Sequence, residues 1–455
     1  MTAGPDAAGD EAKAADHPFI SRPHHTLLAL SLPILLALIA EPLTGLADTA
    51  FVARLGSGPL AALGVGTVTL SSIFWVFNFL GIGTATEVAR ALGARERQIA
   101  QEVAGLAMAL GAGLGLLLLV AGGLTAGPVA EVMGASGSVL DAAVTYLRIR
   151  LVGMPALLIM SGAFGALRGM QEMTIPFRIA VSINILNIAG DAILIHGAGP
   201  VPAFGIAGAA WATSASHWIG ALWALGAVRG HLGLPKALHA RDMRLFATVG
   251  RDLLVRTGLL TSFLLLTTRA ATSIGAEAGA AHQAVRQVWL FTALVLDAFA
   301  ATAQSLVGYF RGAAMIAEAR RVAFVACAWS LGTGAALGAV MMASGDLVAA
   351  ALVPPEARAL FGPAWMAAAL MQPLNALSFA TDGIHWGTSD YRYLRNVMFL
   401  ATGAGATAIL LLDIPAAGAL TLIWVITAGW IAIRAVLGVA RIWPGLGASP
   451  LRADM

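Results

Sequence analysis

The stretch LAMALGAGLGLLLLVAGGLT (106–125) decides the fold, because it runs without a single charged side chain. A helix of about 20 apolar residues is long enough to cross the hydrocarbon core of a bilayer. Comparable stretches recur along the chain and define candidate spans near residues 26–53, 58–86, 100–125, 143–167, 174–197, 204–228, 247–272, 279–309, 321–344, 359–386, 394–413 and 415–440. The sequence therefore predicts an all-α polytopic membrane protein with twelve transmembrane helices.

The composition agrees with that prediction and excludes most soluble functions. Of 455 residues, 58% are hydrophobic and only 11% are charged, whereas soluble domains carry about 25% charged residues. A net charge of +3 is too small to indicate a nucleic-acid partner. The single cysteine, Cys327, excludes a disulfide within a monomer and a cysteine metal cluster. We expect no metal site and no organic cofactor, and the lipid bilayer as the surrounding medium.

Basic residues predict the orientation. Nineteen arginines and lysines fall on the side that holds both termini, and four fall on the opposite side: Arg54, Arg148, Arg150 and Arg358. Cytoplasmic loops carry the excess of such residues in membrane proteins. The sequence therefore predicts an even number of spans with both termini in the cytoplasm of a bacterium, the protein lying in its inner membrane.

The two halves of the chain resemble each other. Gly56 matches Gly275, and Gly165 matches Gly383. The separation along the chain is the same for the two pairs to within one residue, and we call it the repeat offset. Six spans separate the copies, so the repeat is parallel, which predicts a pseudo-two-fold axis along the membrane normal and a binding site between the lobes. The predicted divisions are a disordered cytoplasmic tail (1–24), an N-lobe (25–228), a cytoplasmic linker (229–246), a C-lobe (247–441) and a cytoplasmic tail (442–455).

Acidic residues inside spans are candidates for function, because a charge at the bilayer centre costs about 2.5–3.5 kcal/mol on insertion scales. In SINILNIAGD (182–191), Asn184, Asn187 and Asp191 share one helical face. This pattern indicates a proton or cation site, or else a cluster of hydrogen bonds between helices. Asp48 in the first span could meet that face, or could pair with Arg54.

Three further acids allow more than one interpretation. Glu41 precedes Pro42 near the middle of the first span and, like Asn184, could contact substrate or act in gating. Asp297 could form an ion pair with Arg256 or Arg269, or take part in transport. Asp382 could be structural, act in gating or contact substrate.

Several motifs together resemble the multidrug and toxic compound extrusion (MATE) family. PLTGLADTAFVARLGSGPLAALGVG (42–66) and GTATEVARALGARE (83–96) are similar to its first two helices. RTGLLTSFLLLTTRAATSIGAEAGAAHQAVRQVW (256–289), LDAFAATAQSLVG (296–308) and QPLNALSFATDGIHWGTSD (372–390) resemble its DinF-like branch. The resemblance covers roughly residues 25–440.

The resemblance implies two six-helix lobes that alternate access. It also implies site residues: Asp48, Asn187, Asp191 and Thr213 match the family's ion-coupling positions in the N-lobe. Pro33 matches the helix-one proline whose bending is tied to coupling. In the C-lobe, Asn375 stands where another branch of the family has an acid, so coupling through the N-lobe is favoured.

The function implied is secondary active efflux of small organic, often cationic, compounds in exchange for H⁺ or Na⁺, by a monomer. Two alternatives belong to the same superfamily: a proton-coupled exporter of organic anions and a flippase for lipid-linked precursors. A membrane-embedded enzyme is disfavoured, because no HExxH, GxSxG or paired-aspartate motif stands out.

Overall fold

A computed structural model of the chain describes residues 16–235, 237, 240–413 and 418–452, without the side chains of residues 41, 240–242 and 245. Nearly all of the described chain is α-helical, which confirms the predicted class. The helices are α1 (Pro18–Ser21), α2 (Pro23–Ala53), α3 (Ser57–Phe77), α4 (Phe79–Gly93), α5 (Arg97–Val132), α6 (Gly137–Val152), α7 (Met154–Gly169), α8 (Thr174–Leu194), α9 (Ile206–His231), α10 (Ala240–Ile274), α11 (Ala276–Gly312), α12 (Ile316–Leu352), α13 (Arg358–Leu370), α14 (Gln372–Gly387), α15 (Tyr391–Leu410) and α16 (Ala419–Ile442).

Within the described residues, these helices form twelve rods after the short α1. Three rods are interrupted: α3 and α4 meet at Asn78, α6 and α7 meet at Gly153 with a bend of 44°, and α13 and α14 meet at Met371. By length and apolar composition alone, eight of the described stretches could cross a membrane, or nine if the α6–α7 pair is one span. The remaining rods, α9, α13–α14 and α15, carry more polar residues.

The surface of the helices is apolar. On α5, Leu116, Leu117, Val120 and Leu124 are all more than half exposed, and Leu124 reaches 78%. A row of exposed aliphatic side chains is unfavourable in water but is the expected surface of a helix in lipid. The chain is a polytopic membrane protein.

The chain divides into two compact units. We call Leu32–Gly250 the N-terminal unit, and the residues up to Ser31 together with Arg251–Met455 the C-terminal unit. The linker predicted at 229–246 is partly helical, because α9 continues to His231 and α10 begins at Ala240. Pro33 and Pro42 both lie inside α2, which is helical from Pro23 to Ala53. A kink at Pro33 stays a prediction.

The prediction of a disordered tail over residues 1–24 is wrong for its last part; residues 1–15 lie outside the described chain. Residues 18–21 form α1, and α2 begins at Pro23. Phe19 is completely buried and its ring centroid lies 5.8 Å from that of Phe310 on α11. Burying an aromatic side chain contributes enough to order a short segment that composition alone marks as polar.

The internal repeat is visible in matching turns. The left-handed backbone conformation recurs at Arg95 (φ 60°) and Ala314 (φ 58°), which are separated by the repeat offset. It recurs again at Gln171 (φ 63°) and Ser389 (φ 59°), which are related in the same way. Non-glycine residues adopt this conformation infrequently, so its return at matching positions shows that the two units share their loop geometry.

Matching glycines show the same relationship in the helix packing. A Cβ atom on Gly165 of α7 would collide with the carbonyl oxygen of Gly81 on α4. A Cβ atom on Gly383 of α14 would collide with the carbonyl oxygen of Ala300 on α11, and each of these two residues lies at the repeat offset from its counterpart. Small residues allow two helix backbones to approach closely in membranes. The pairs α4–α7 and α11–α14 are therefore equivalent close contacts.

Candidate functional site

The predicted polar face of α8 points into the N-terminal unit. Asn187 and Asp191 are four residues apart, so they lie on one face of the helix one turn from each other. Both are buried, with 2% and 0% of their surface exposed. Asn184, one turn before Asn187, is partly exposed. The pattern in the sequence therefore marked the buried face correctly, with Asn184 at its margin.

Asn187 connects Asp48 on α2 with Thr213 on α9. With its amide oriented to satisfy both neighbours, its Nδ2 donates to Asp48 Oδ1 at 2.9 Å. Its Oδ1 accepts from Thr213 Oγ1 at 2.9 Å and from Thr213 N at 3.2 Å. The structure thus brings together the four residues that the family resemblance implied: Asp48, Asn187, Asp191 and Thr213.

The carboxyl of Asp191 lacks a hydrogen-bond donor. Among the described residues, no N–H or O–H donor reaches either of its buried oxygens. The carboxyl of Asp48 lies near enough to act on it electrostatically. Two neighbouring carboxylates repel each other, and burial disfavours each charge. A proton on either carboxyl would relieve both costs, so the pair is suited to binding one.

Sequence reasoning missed two residues on α6 that complete this site. Tyr146 and Arg150 lie one turn apart on α6, and the positive charge of Arg150 acts on both Asp48 and Asp191. Next to Arg150, the carbonyl oxygen of Ile149 accepts from Ser214 Oγ on α9 at 3.0 Å, which holds this part of α6 beside Thr213. Arg150 was counted among the few basic residues on the side opposite the termini. The available signal was its position inside the predicted span 143–167, four residues after Tyr146.

The three other predicted acids have different surroundings. The side chain of Glu41 lies outside the described part of the chain, so its role stays a prediction. Asp297 is partly buried on α11 of the C-terminal unit, and its role also stays a prediction. Arg256, which was considered as a partner for Asp297, is bound to Asp382 instead.

Asp382 on α14 lies between two arginines in the C-terminal unit. Its Oδ2 accepts from Nη2 of Arg434 at 2.7 Å and from Nη2 of Arg256. The side chains of Arg256, Asp382 and Arg434 are 9%, 7% and 5% exposed. The guanidinium of Arg434 also lies over the Trp430 ring, 4.6 Å from its centroid. The single negative charge of Asp382 is already balanced by two guanidinium groups, so it would attract a cationic substrate only weakly. This arrangement favours a structural or gating role for Asp382.

Comparison with known proteins places the chain among transporters. The MatE family model matches residues 33–193 and 254–409. The chain is 31% identical over 453 residues to the chloroplastic Protein DETOXIFICATION 44 of Arabidopsis thaliana, covering 94% of this chain and 85% of that protein. It is 28% identical over 440 residues to the DNA damage-inducible protein F of Escherichia coli K12, covering 93% of each.

A solved structure has the same fold. The crystal structure of a MATE protein in its bent conformation matches with a TM-score of 0.82 at 20% identity, over 91% of this chain and 93% of that one. At this identity the match speaks for the fold alone, an arrangement of twelve helices.

Proposed function

Because this chain belongs to the MATE family of efflux transporters, which are not enzymes, we propose that it exports small organic cations in exchange for H⁺. It does so by alternating access, as a secondary active antiporter. Its place is the inner membrane of a bacterium, with both termini in the cytoplasm, which the distribution of basic residues and the similarity to the Escherichia coli protein support. The unit of function is a monomer.

The observation that carries this proposal is the pair of carboxyls formed by Asp191, which is buried, and Asp48, which is half-buried. Two adjacent carboxylates repel each other, and burial away from water disfavours each charge. A proton removes one of these charges. A cationic substrate removes the cost in another way, by supplying an opposite charge. Proton and cation therefore compete for the same buried charge.

Competition between proton and substrate leads to antiport when the site opens alternately to the two sides of the membrane. A proton bound from the outside would displace the substrate there and allow the protonated site to open to the cytoplasm, where a new substrate would displace the proton. A ligand shifts a conformational equilibrium only by its difference in affinity for the two states. The carboxyl pair can provide such a difference in affinity. Water would reach the two carboxyls differently in the two access states, and their affinity for a proton or a cation depends on that hydration.

The test is transport in proteoliposomes. Purified protein is reconstituted, and uptake of ethidium is followed by its fluorescence on DNA trapped in the lumen. A pH gradient and a Na⁺ gradient are imposed separately. We expect uptake with an acidic lumen in the wild type, loss of uptake in Asp48→Asn, and wild-type uptake in Asp141→Asn, which alters an exposed acid on α6. Uptake driven only by the Na⁺ gradient would show that the coupling ion is Na⁺ and not H⁺.

A second candidate function is the export of organic anions, which the arginine pair on Asp382 favours. Two guanidinium groups on one carboxylate leave an excess of one positive charge in this cluster of three side chains, and an anionic substrate would offset it. Carboxyfluorescein in place of ethidium tests this function in the same liposomes. Transport of carboxyfluorescein without transport of ethidium would overturn the assignment of cationic substrates.

A further inference from the structure

We propose that Arg150 sets the charge exchanged at the carboxyl site, so that one proton is exchanged for one positive charge of the substrate. This inference rests on the proposed function and adds the preferred charge of its substrate, that of a monovalent organic cation. Among the described residues, five titratable or charged groups act on one another at the site: Asp48 from α2, Tyr146 and Arg150 from α6, Asp191 from α8 and His217 from α9.

Arg150 is held in place by its own helix and by packing beneath it. Its neighbour Ile149 accepts a hydrogen bond through its carbonyl oxygen from Ser214 Oγ on α9 at 3.0 Å, and Tyr146, one turn earlier on α6, is only 2% exposed. The ring of Tyr146 fills the space beside Gly66 on α3, where a Cβ atom would collide with it. The Nε of Arg150 is buried and without a hydrogen-bond partner in the described chain. An arginine positioned in this way is a fixed charge of the site.

The internal repeat provides an independent observation. At the repeat offset, the counterparts of Asp48, Arg150 and Asp191 in the C-terminal unit are uncharged: Thr267, Ala368 and Ile409. The supporting pair changes as well, because Tyr146 and Gly66 correspond to Ala364 and Val285. The arginine is thus present in the unit that has the two acids and absent from the unit that lacks them, which indicates that it belongs to their function.

The charges of the site give the stoichiometry. Two ionised carboxylates and one guanidinium leave a single negative charge. One proton brings the site to neutrality, and so does one monovalent cation. A divalent cation would leave a buried positive charge without a partner, which is unfavourable at a site away from water. Exchange of one proton for one monovalent cation is therefore electroneutral.

The test compares two dyes that share a ring system. Ethidium carries one positive charge and propidium carries two. Initial uptake rates of both are measured in proteoliposomes with an acidic lumen, with the membrane voltage clamped at several values. In the wild type we expect ethidium uptake that exceeds propidium uptake and does not respond to voltage.

Removing the charge of Arg150 leaves the ionised site with two negative charges. In Arg150→Gln we therefore expect the propidium-to-ethidium rate ratio to rise about tenfold, and ethidium uptake to become sensitive to voltage. Arg150→Lys keeps the charge and should behave like the wild type. Arg148→Gln is the matched control, because Arg148 lies on the same helix but is exposed.

Each result decides between the two proposals. An unchanged dye ratio in an active Arg150→Gln protein would overturn the role of Arg150 and leave the antiport proposal intact. Failure of the wild type to transport either dye would overturn the antiport proposal itself. If Arg150→Gln does not insert, the double variant Arg150→Gln/Asp191→Asn restores a single negative charge. If this double variant inserts and takes up ethidium faster than propidium, the inference is supported. If it fails to insert, Arg150 is needed only for structure.

Discussion

The ring of Tyr146 occupies the space that the absent side chain of Gly66 leaves on α3. Tyr146 lies one helical turn before Arg150, whose positive charge acts on the acids at the centre of the site. A glycine with no polar atom in its side chain is therefore part of the support of a polar site.

We expect Gly66→Val to displace Tyr146 and to slow ethidium uptake at least tenfold, since overpacking a buried contact costs about 1–3 kcal/mol. The double variant Gly66→Val/Tyr146→Ala copies the C-terminal unit, so it should recover thermal stability without recovering transport. Stability is measured by the loss of the monodisperse peak in detergent after heating. Equal transport in the single variant and the wild type would contradict the supporting role of Tyr146.

Asp191→Asn should separate folding from coupling. The amide still donates a hydrogen bond to Asp48, so the protein should insert and remain monodisperse, while the proton-binding capacity of the pair falls. We expect proton release on addition of ethidium to purified protein, followed with a pH-sensitive dye, to be lost. Asp346→Asn, at a site on α12 in the C-terminal unit, serves as the control. Undiminished proton release in Asp191→Asn would exclude this residue from the coupling site.

Asp382→Ala should destabilise the protein strongly. It leaves Arg256 and Arg434 buried without their carboxylate, and removing one partner of a buried ion pair costs about 3–5 kcal/mol. The matched control is Glu318→Gln, which removes a partly exposed pair with Arg321 at 3.6 Å and should cost less than about 1 kcal/mol. Thermal denaturation in detergent compares the two variants. A loss of stability no larger than that of the control would show that Asp382 does not hold these helices together.

Gly383→Ala should disrupt the contact between α11 and α14. The added methyl group meets the backbone of Ala300, which a side-chain movement cannot relieve. The expected outcome is a large loss of monodisperse protein. Gly403→Ala on α15 is the control, because nothing lies within 4 Å of a Cβ atom at that position, and it should behave like the wild type. Normal yield of Gly383→Ala would show that the two helices separate more easily than their packing indicates.

Local patterns in the sequence predicted the parts of the structure that depend on neighbours along the chain. Apolar stretches predicted the twelve rods, and the spacing of Asn187 and Asp191 predicted a shared buried face. The repeat offset matched Gly165 with Gly383, and the structure gives both glycines the same kind of close contact between helices.

Interactions between distant residues could not be predicted in the same way. Asp382 pairs with an arginine 126 residues before it and another 52 residues after it, and no local pattern links the three. Arg150 was misinterpreted for a related reason: counting basic residues by side of the membrane treats each as a loop charge, although this one lies in a helix that carries it to two acids. Phe19 was assigned to a disordered tail because its burial depends on Phe310.

The repeated architecture also has a consequence for protein engineering. At the positions of Asp48, Arg150 and Asp191, the C-terminal unit shows how the same helices fill this space with Thr267, Ala368 and Ile409. The molecule thus contains a natural template for a charge-free version of its own site. Copying these three side chains into the N-terminal unit gives a design for a transport-inactive protein that keeps native packing, a reference against which ligand binding elsewhere in the molecule can be measured.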